Sequence, residues 1–451
     1  QMTLGAEGIY GIPLGVAATF IFVFVLFGAF LEVTGAGKFF IDLAYATTGR
    51  QRGGPAKAAV VASAGMESIS GSAIANVVTT GAFTIPLMKK LGYRPAQAGG
   101  VEAAASTGGQ IMPPLMGAGA FLMSEFTQLP YVHIVLVSIF PAFLYFGAVY
   151  LLVHIAAVKQ GMRGLTAAEL PSVRQVMREG WHFIFPLVAL IFLLVAGYSP
   201  MRVGFYAIVA VMAAAAARAL WTFSRDAPSV EGFVALCKRG GALTLEALEL
   251  GARNAVAVSV ACAVAGVIVG VVGLTGLGLK FSAMMLAFSG GNLFLALILV
   301  ILASLILGMG LPVTAAYIVL IILVGPALTT EFGVPLLIAH LVVFWYSQDS
   351  NVTPPVALAG FAGAAIAGSK PMETSVQAWK YAKGLYLIPL FMVYNEEIIL
   401  GGPLHMVIFA GILALAGIVA FAAVLEGFLF TSMALWHRAA LIPAIVAVFW
   451  S

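Results

Sequence analysis

STGGQIMPPLMGAGAFL, residues 106–122, lies inside an apolar run long enough to cross a membrane. It carries a Gly-Gly pair and two consecutive prolines where a spanning helix should be unbroken. Proline removes a backbone donor and frees the carbonyl four residues earlier. A freed carbonyl in hydrocarbon is costly, so such a break persists only where the backbone lines a cavity. Further along, SQDSNVTPPVALAGFAG, residues 347–363, has the same Pro-Pro in its middle. Pro113-Pro114 and Pro354-Pro355 are 241 residues apart.

That offset of 241 recurs without gaps: Thr34-Gly35-x-Gly37 falls on Thr275-Gly276-x-Gly278, Ala75 on Ala316, Gly92 on Gly333, Ser106 on Ser347 and Gly119 on Gly360. The loop charges invert between the two copies. The apolar stretch 57–88 has Arg50, Arg52 and Lys57 at one end and Lys89, Lys90 and Arg94 at the other. Basic loops stay on the cytoplasmic side, so this stretch reads as a re-entrant hairpin from the inside, with its tip at MESISGS (Met66–Ser72). The stretch 292–325 has no basic residue at either end and reads as a hairpin from the outside, tipped by GMGLPVT (Gly308–Thr314).

The organisation that follows is an inverted repeat. Residues 1–157 hold a scaffold helix, the hairpin 57–88, a broken helix 96–124 and a helix 131–157. Residues 252–398 repeat the plan with the hairpin 292–325 and the broken helix 335–367. Between them, 158–251 carry a basic linker (Lys159, Arg163, Arg174, Arg178), two transmembrane helices and an arm over 226–253 expected as a cytoplasmic interfacial helix. Residues 399–451 supply two C-terminal spans. Uninterrupted spans are expected near 11–31, 131–157, 181–198, 203–222, 254–275, 377–394, 404–427 and 433–450.

Composition agrees with a polytopic membrane protein. Of 451 residues, 62% are hydrophobic and 9% charged, against roughly 25% charged in a soluble domain. The fold class is therefore all-α, with almost no soluble part. The net charge of +4 reflects basic loops rather than a nucleic-acid partner. Cys237, Cys262 and the scattered histidines show no metal or redox spacing, and no convergent nucleophile–base set points to an enzyme.

Paired hairpins and broken helices in inverted repeats are the layout of a secondary transporter, with its site at the bilayer midplane. A channel would instead need a continuous pore. The first site would combine Ser68, Ser70, Ser72 and Asn76 at the tip with Ser106, Thr107, Gly108 and Gly109 at the break. The second would combine Gly308, Gly310 and Thr314 with Asp349, Ser350, Asn351 and Thr353. Hydroxyls, amide oxygens and backbone carbonyls suit a hard cation such as Na⁺; the plainer reading is that these residues cap helix ends or bond back to their own carbonyls. Half-helix N-termini favour an anion, so Ser72, Thr107, Gln110, Thr314 and Asn351 are candidate substrate contacts.

No Arg or Lys is evident at the midplane to clamp a carboxylate. Glu67 and Asp349 are candidate proton carriers, because an ionisable group at membrane depth is functional by default; for Glu67 the alternative is a tip charge solvated by water. Glu102 either lines the cavity or pairs with a basic neighbour. Glu32 and Glu426 read as helix-end charges, and Trp345 and Tyr346 as packing or a substrate wall.

SGSAIANVVTTGAFTIPLMKKLGY (70–93), EAAASTGGQIMPP (102–114), ILGMGLPVTAAY (306–317) and SNVTPPVALAGFAGAAIAGSKPMET (350–374) resemble the large membrane subunit of tripartite ATP-independent periplasmic (TRAP) transporters, in the form of the fused permeases of the TAXI branch. The resemblance covers nearly the whole chain. It implies an elevator mechanism in the bacterial inner membrane, Na⁺ coupling with H⁺ as the alternative, and a small organic anion delivered by a periplasmic substrate-binding protein. It also implies a small four-helix membrane subunit, expected to be fused upstream of Gln1. By resemblance the cation ligands carry over to Ser70, Ser72, Asn76, Gly108 and Gly109, and to Gly308, Thr314, Ser350 and Thr353. The chain departs from other branches in having Asn76 where they have an acid, and Glu67 and Ser68 where related permeases have small residues. A stand-alone divalent-anion symporter shares the same plan and needs no binding protein.

Overall fold

The computed structural model describes residues 8–225 and 229–449, without the side chains of Ser70 and Phe449. The described residues are helical apart from short connections and one isolated bridge, Phe428 to Ser432. Seven helices among them are long and apolar enough to cross a membrane.

The offset of 241 extends from sequence motifs to helix boundaries. Advanced by that offset, Ala36–Thr48 lands on Leu277–Ser289 from end to end. The helix pair Gly54–Ser70 and Ala73–Lys90 corresponds to Leu293–Leu307 and Val313–Pro326. The pair Pro95–Gly108 and Gly117–Thr127 corresponds to Leu336–Tyr346 and Leu358–Ala367. Helices 36–48 and 277–289 were not among the expected spans, because each is short and follows its predecessor almost directly. The TGxG motif makes those corners: Gly35 has φ +101° and Gly276 φ +62°, left-handed values that glycine adopts without steric cost.

Both hairpins turn where breakers were seen. Gly71, at φ +63°, ends the first helix of hairpin one. Ser72 caps the second, its hydroxyl accepting from Ala75 N at 3.4 Å. In hairpin two the turn is Gly308–Pro312. Each broken helix passes through a single 3₁₀ turn, Gly109–Ile111 and Asp349–Asn351, before its Pro-Pro pair. Both Pro-Pro bonds are cis.

Two expectations fail. The arm is not a separate interfacial helix: Val230–Thr275 is one helix of 46 residues, ~69 Å long at 1.5 Å per residue. No proline interrupts it, and Gly240-Gly241 weakens a helix without ending it. Residues 226–228 of the arm lie outside the described ones. The expected span 377–394 is instead two helices, Pro371–Tyr381 and Gly384–Tyr394, which separate at Ala382–Lys383.

The two broken helices meet at a close backbone contact. A Cβ added at Gly99 would lie 2.7 Å from the Gly363 carbonyl oxygen, and one at Gly363 would lie 2.6 Å from that of Gly99. Only glycine at both positions permits backbones this close. Lys89 Nζ bonds the Ala367 carbonyl at 2.7 Å and Gln97 Nε2 bonds Tyr381 Oη at 2.9 Å, so the halves of the repeat interlock. Elsewhere, helix 22–34 packs on helix 230–275.

Candidate functional site

The tips and breaks meet as residue pairs. At the first, Gln110 Nε2 donates to the Gly71 carbonyl at 3.0 Å, and a Cβ on Gly71 would lie 2.9 Å from Gly117 Cα. At the second, a Cβ on Gly308 would lie 2.9 Å from Ser350 Oγ. Between the tips is a cavity of about 390 Å³. Its walls are Gly71–Ala75 and Gly310–Thr314, which are the starts of the second helix in each hairpin, together with Gln110 and Asn351 from the two breaks. The opposite wall is helix 12–34, contributing Glu32, and the long helix, contributing Arg253, Asn254, Ala257 and Ala261.

Of the candidate substrate contacts, Ser72, Gln110, Thr314 and Asn351 line this cavity and Thr107 does not. The Thr107 hydroxyl donates to Ala103 O at 2.8 Å within its own helix, the back-bonding expected of a buried helical threonine. Three polar residues of the cavity were missed or misread. Glu32 is not merely a helix-end charge. Arg253 had been placed at the end of an interfacial arm and Asn254 at the start of the span after it, and both face the tips because the arm continues into that span. Arg253 Nη2 is paired with Glu249 at 2.6 Å, and its side chain is 77% exposed. Arg253 thus places a basic side chain in the cavity lining.

The remaining candidates lie behind the cavity wall. Ser68 is buried and donates to Gly65 O at 2.8 Å. Asn76 donates to Ser106 Oγ at 2.9 Å, and its buried Oδ1 has no partner among the described residues. Thr353 Oγ1 is 2.5 Å from the Tyr386 hydroxyl. Ser350 is buried. The side chain of Ser70 lies outside the described ones. Trp345 and Tyr346 are fully buried, Trp345 edge-on to Tyr145 at 6.3 Å, and neither lines the cavity.

Among the described residues, three carboxyl groups are fully buried. Glu102 lies in a hydroxyl cage: it accepts from Thr80, from Thr84 at 2.5 Å and from Ser63 at 3.3 Å, with the Ser106 hydroxyl beside them. It neither lines the cavity nor meets a basic group, so both readings of it are replaced by this cage. Glu67 is not a solvated tip charge: it sits in the last turn of helix 54–70, fully buried. Asp349 is likewise buried, with Lys383 as its nearby cation. Among the described residues no oxygen of Glu67 or Asp349 has a hydrogen-bond partner. Tyr145 lies within electrostatic reach of both carboxyls and donates its hydroxyl to Ala104 O at 2.7 Å.

Glu67 and Ser350 break the symmetry of the repeat in complementary places. Shifted by 241, Glu67 falls on Gly308 and Gly109 falls on Ser350. Glu67 Cβ occupies the space that a Cβ on Gly109 would need, just as Ser350 occupies that of Gly308. Repeat one places the bulk on the hairpin, and repeat two places it on the break. Among the described residues no His/Cys/Asp/Glu cluster has the form of a metal site.

Residues 5–398 match the family profile described as tripartite ATP-independent periplasmic transporter, DctM component. The C4-dicarboxylate TRAP transporter large permease protein DctM of Pseudomonas aeruginosa is 40% identical over 91 residues, 20% of this chain and 21% of that protein. The protein of the same name in Vibrio cholerae is 41% identical over 91 residues, 20% of each chain. The 2,3-diketo-L-gulonate TRAP transporter large permease protein YiaN of Escherichia coli is 33% identical over 91 residues, 20% of this chain and 21% of that one. The matched stretch thus spans about a fifth of each relative's length.

Proposed function

The chain belongs to the family of DctM components of tripartite ATP-independent periplasmic transporters, and from that premise we propose that it is the large membrane subunit of an ion-coupled importer of a small organic anion, a carboxylate. It works in the bacterial inner membrane with a periplasmic substrate-binding protein and a small four-helix membrane subunit, in the manner of the TAXI branch. The single observation that carries the substrate class is the cavity of about 390 Å³ between the tips. Two helix starts, 73–75 and 312–314, border it and present N-terminal partial positive charge. Arg253, paired with Glu249, lies across from them as a guanidinium donor, and the Ser72, Thr314, Gln110 and Asn351 side chains supply directional hydrogen bonds.

In this reading the hairpins and broken helices move together as an elevator, tied by the tip–break contacts and the Gly99–Gly363 crossing. Helix 12–34 and the long helix stay as scaffold. Each stroke exchanges the contacts between tips and Arg253, so the substrate is gripped on one side and released on the other. The coupling ion is Na⁺, held by oxygen atoms behind each tip: Ser68, Ser70, Ser72, Asn76 and the carbonyls of Gly108 and Gly109 in the first site, and the Gly308 carbonyl, Thr314, Asp349, Ser350 and Thr353 in the second. The unpartnered Oδ1 of Asn76 and carboxylate of Asp349 supply the donor chemistry that a hard cation needs. Proton coupling is the second reading, favoured by one observation: Glu67 is a buried carboxyl without a partner among the described residues. Such a group suits a proton better than an uncompensated charge.

The test is solute uptake into proteoliposomes containing the permease and its binding protein, with Na⁺ and pH gradients imposed separately. Na⁺-driven uptake supports the oxygen sites. Uptake driven by protons alone transfers coupling to Glu67 and Asp349. Uptake that needs no binding protein overturns the tripartite assignment in favour of a stand-alone symporter.

A further inference from the structure

A second concavity lies far from the tips, between the short helix Val173–Gly180 with the turn after it and the C-terminal end of helix Pro200–Arg225. It encloses about 1520 Å³. Arg174 and Arg178 enter it from one side, and Arg218 and Arg225 from the other. Glu179 is the one carboxylate in its lining, and Gln175 Nε2 holds that group at 3.0 Å. Among the described residues none of the four arginines has a carboxylate within 4.0 Å. Among the described residues, four guanidinium groups thus line one groove with Glu179 as the carboxylate among them.

The groove sits at a membrane boundary. Helices Ile184–Val195 and Pro200–Arg225 are antiparallel neighbours in the segments long and apolar enough to span, and the groove is at their common end. Trp181 and Trp221 flank it, 58% and 59% exposed, the position tryptophan prefers at headgroup level. Beyond them Phe185, Val188 and Phe192 form an exposed apolar strip. The linker that leads into the groove docks on the loops read as cytoplasmic: Leu165 N donates to Gly49 O at 2.9 Å, and Lys90 meets Glu169 at 3.7 Å.

We propose that this groove is a binding site for an anionic phospholipid of the cytoplasmic leaflet. Its phosphate is held by Arg174, Arg178, Arg218 and Arg225, and its acyl chains lie along Phe185–Phe192. Guanidinium forks match phosphate oxygens two at a time, and basic pockets between helix ends on the cytoplasmic side are the form such lipid sites take. The exposed apolar strip distinguishes this from a site for free phosphate, which has no use for it.

The test uses the full chain in nanodiscs of phosphatidylcholine, titrated with brominated phosphatidylglycerol, reading the fluorescence that W181F/W221F removes. The expected result is preferential quenching by brominated phosphatidylglycerol over brominated phosphatidylcholine. Arg178→Gln and Arg218→Gln should each weaken the apparent affinity about five-fold, and millimolar inorganic phosphate should leave the quenching unchanged. Arg174→Gln, exposed on a short helix, gives the same reading should the others fold poorly. Equal quenching by both lipids, affinities unmoved by all three substitutions, or displacement by inorganic phosphate would each overturn the proposal.

Discussion

The glycine of the tip–break contact sits on the break in repeat one (Gly109) and on the hairpin in repeat two (Gly308), and this makes the packing testable by a double-mutant cycle. Gly109→Ser alone should be severely disruptive, because its new Cβ would coincide with the Glu67 side chain and come within 2.5 Å of Glu67 Oε2. Overpacking of this kind costs about 1–3 kcal/mol, and here the obstacle is side-chain carbon next to the backbone rather than a flexible end, so the upper part of that range is expected. Glu67→Gly alone should cost about 1 kcal/mol in helix propensity, plus the loss of packing. The double variant Glu67→Gly/Gly109→Ser gives repeat one the pair that repeat two already holds, Gly308 against Ser350. It should recover most of the loss, with a coupling energy of about 1–3 kcal/mol. The assay is the apparent melting temperature of the four proteins in one detergent. If Gly109→Ser melts like the parent, or if the double variant melts no higher than Gly109→Ser, the packing argument is wrong. The double variant also lacks the Glu67 carboxyl. Should it fold and still take up solute on a Na⁺ gradient, Glu67 is dispensable for coupling.

Three further outcomes are expected. Glu102→Leu should lower stability by about 2–6 kcal/mol, since the buried hydroxyls of Ser63 and Thr84 lose the acceptor that each is recorded with, at ~1–3 kcal/mol apiece. Glu102→Gln, which keeps one acceptor oxygen, should melt measurably higher than Glu102→Leu. Arg253→Gln should raise KM for the anionic solute about ten-fold, the scale of one charge-assisted hydrogen bond. Its melting temperature should barely move, because its pair with Glu249 is exposed; an unchanged KM would remove Arg253 from the site. Gly363→Val should abolish well-folded protein in a size-exclusion profile, because even a Cβ there would be 2.6 Å from the Gly99 carbonyl oxygen, and a normal profile would show that the crossing can open.

The features set by the strongest local signals were legible in the sequence. Hydropathy set the all-α membrane class. The prolines at 113–114 and 354–355 located both broken helices, and the offset of 241 placed Ala36–Thr48 on Leu277–Ser289 even though neither helix had been expected. These features survive because a missing donor, a left-handed glycine and a run of apolar residues act on their own few neighbours wherever they are put. What only the tertiary structure decided is which distant residues meet. Arg253 reaches the tip cavity because helix Val230–Thr275 continues through the point where charge pattern had ended an arm. Glu102 is caged because helix 73–90 brings Thr80 and Thr84, and helix 54–70 brings Ser63, to one spot. Thr107 leaves the site because its hydroxyl has a nearer acceptor four residues back. Glu67 is buried rather than solvated because Gly109 lacks a side chain to keep it out. Apart from Thr107, whose acceptor is local, the outcome depends on how segments far apart in the chain pack, and no local pattern carries that information.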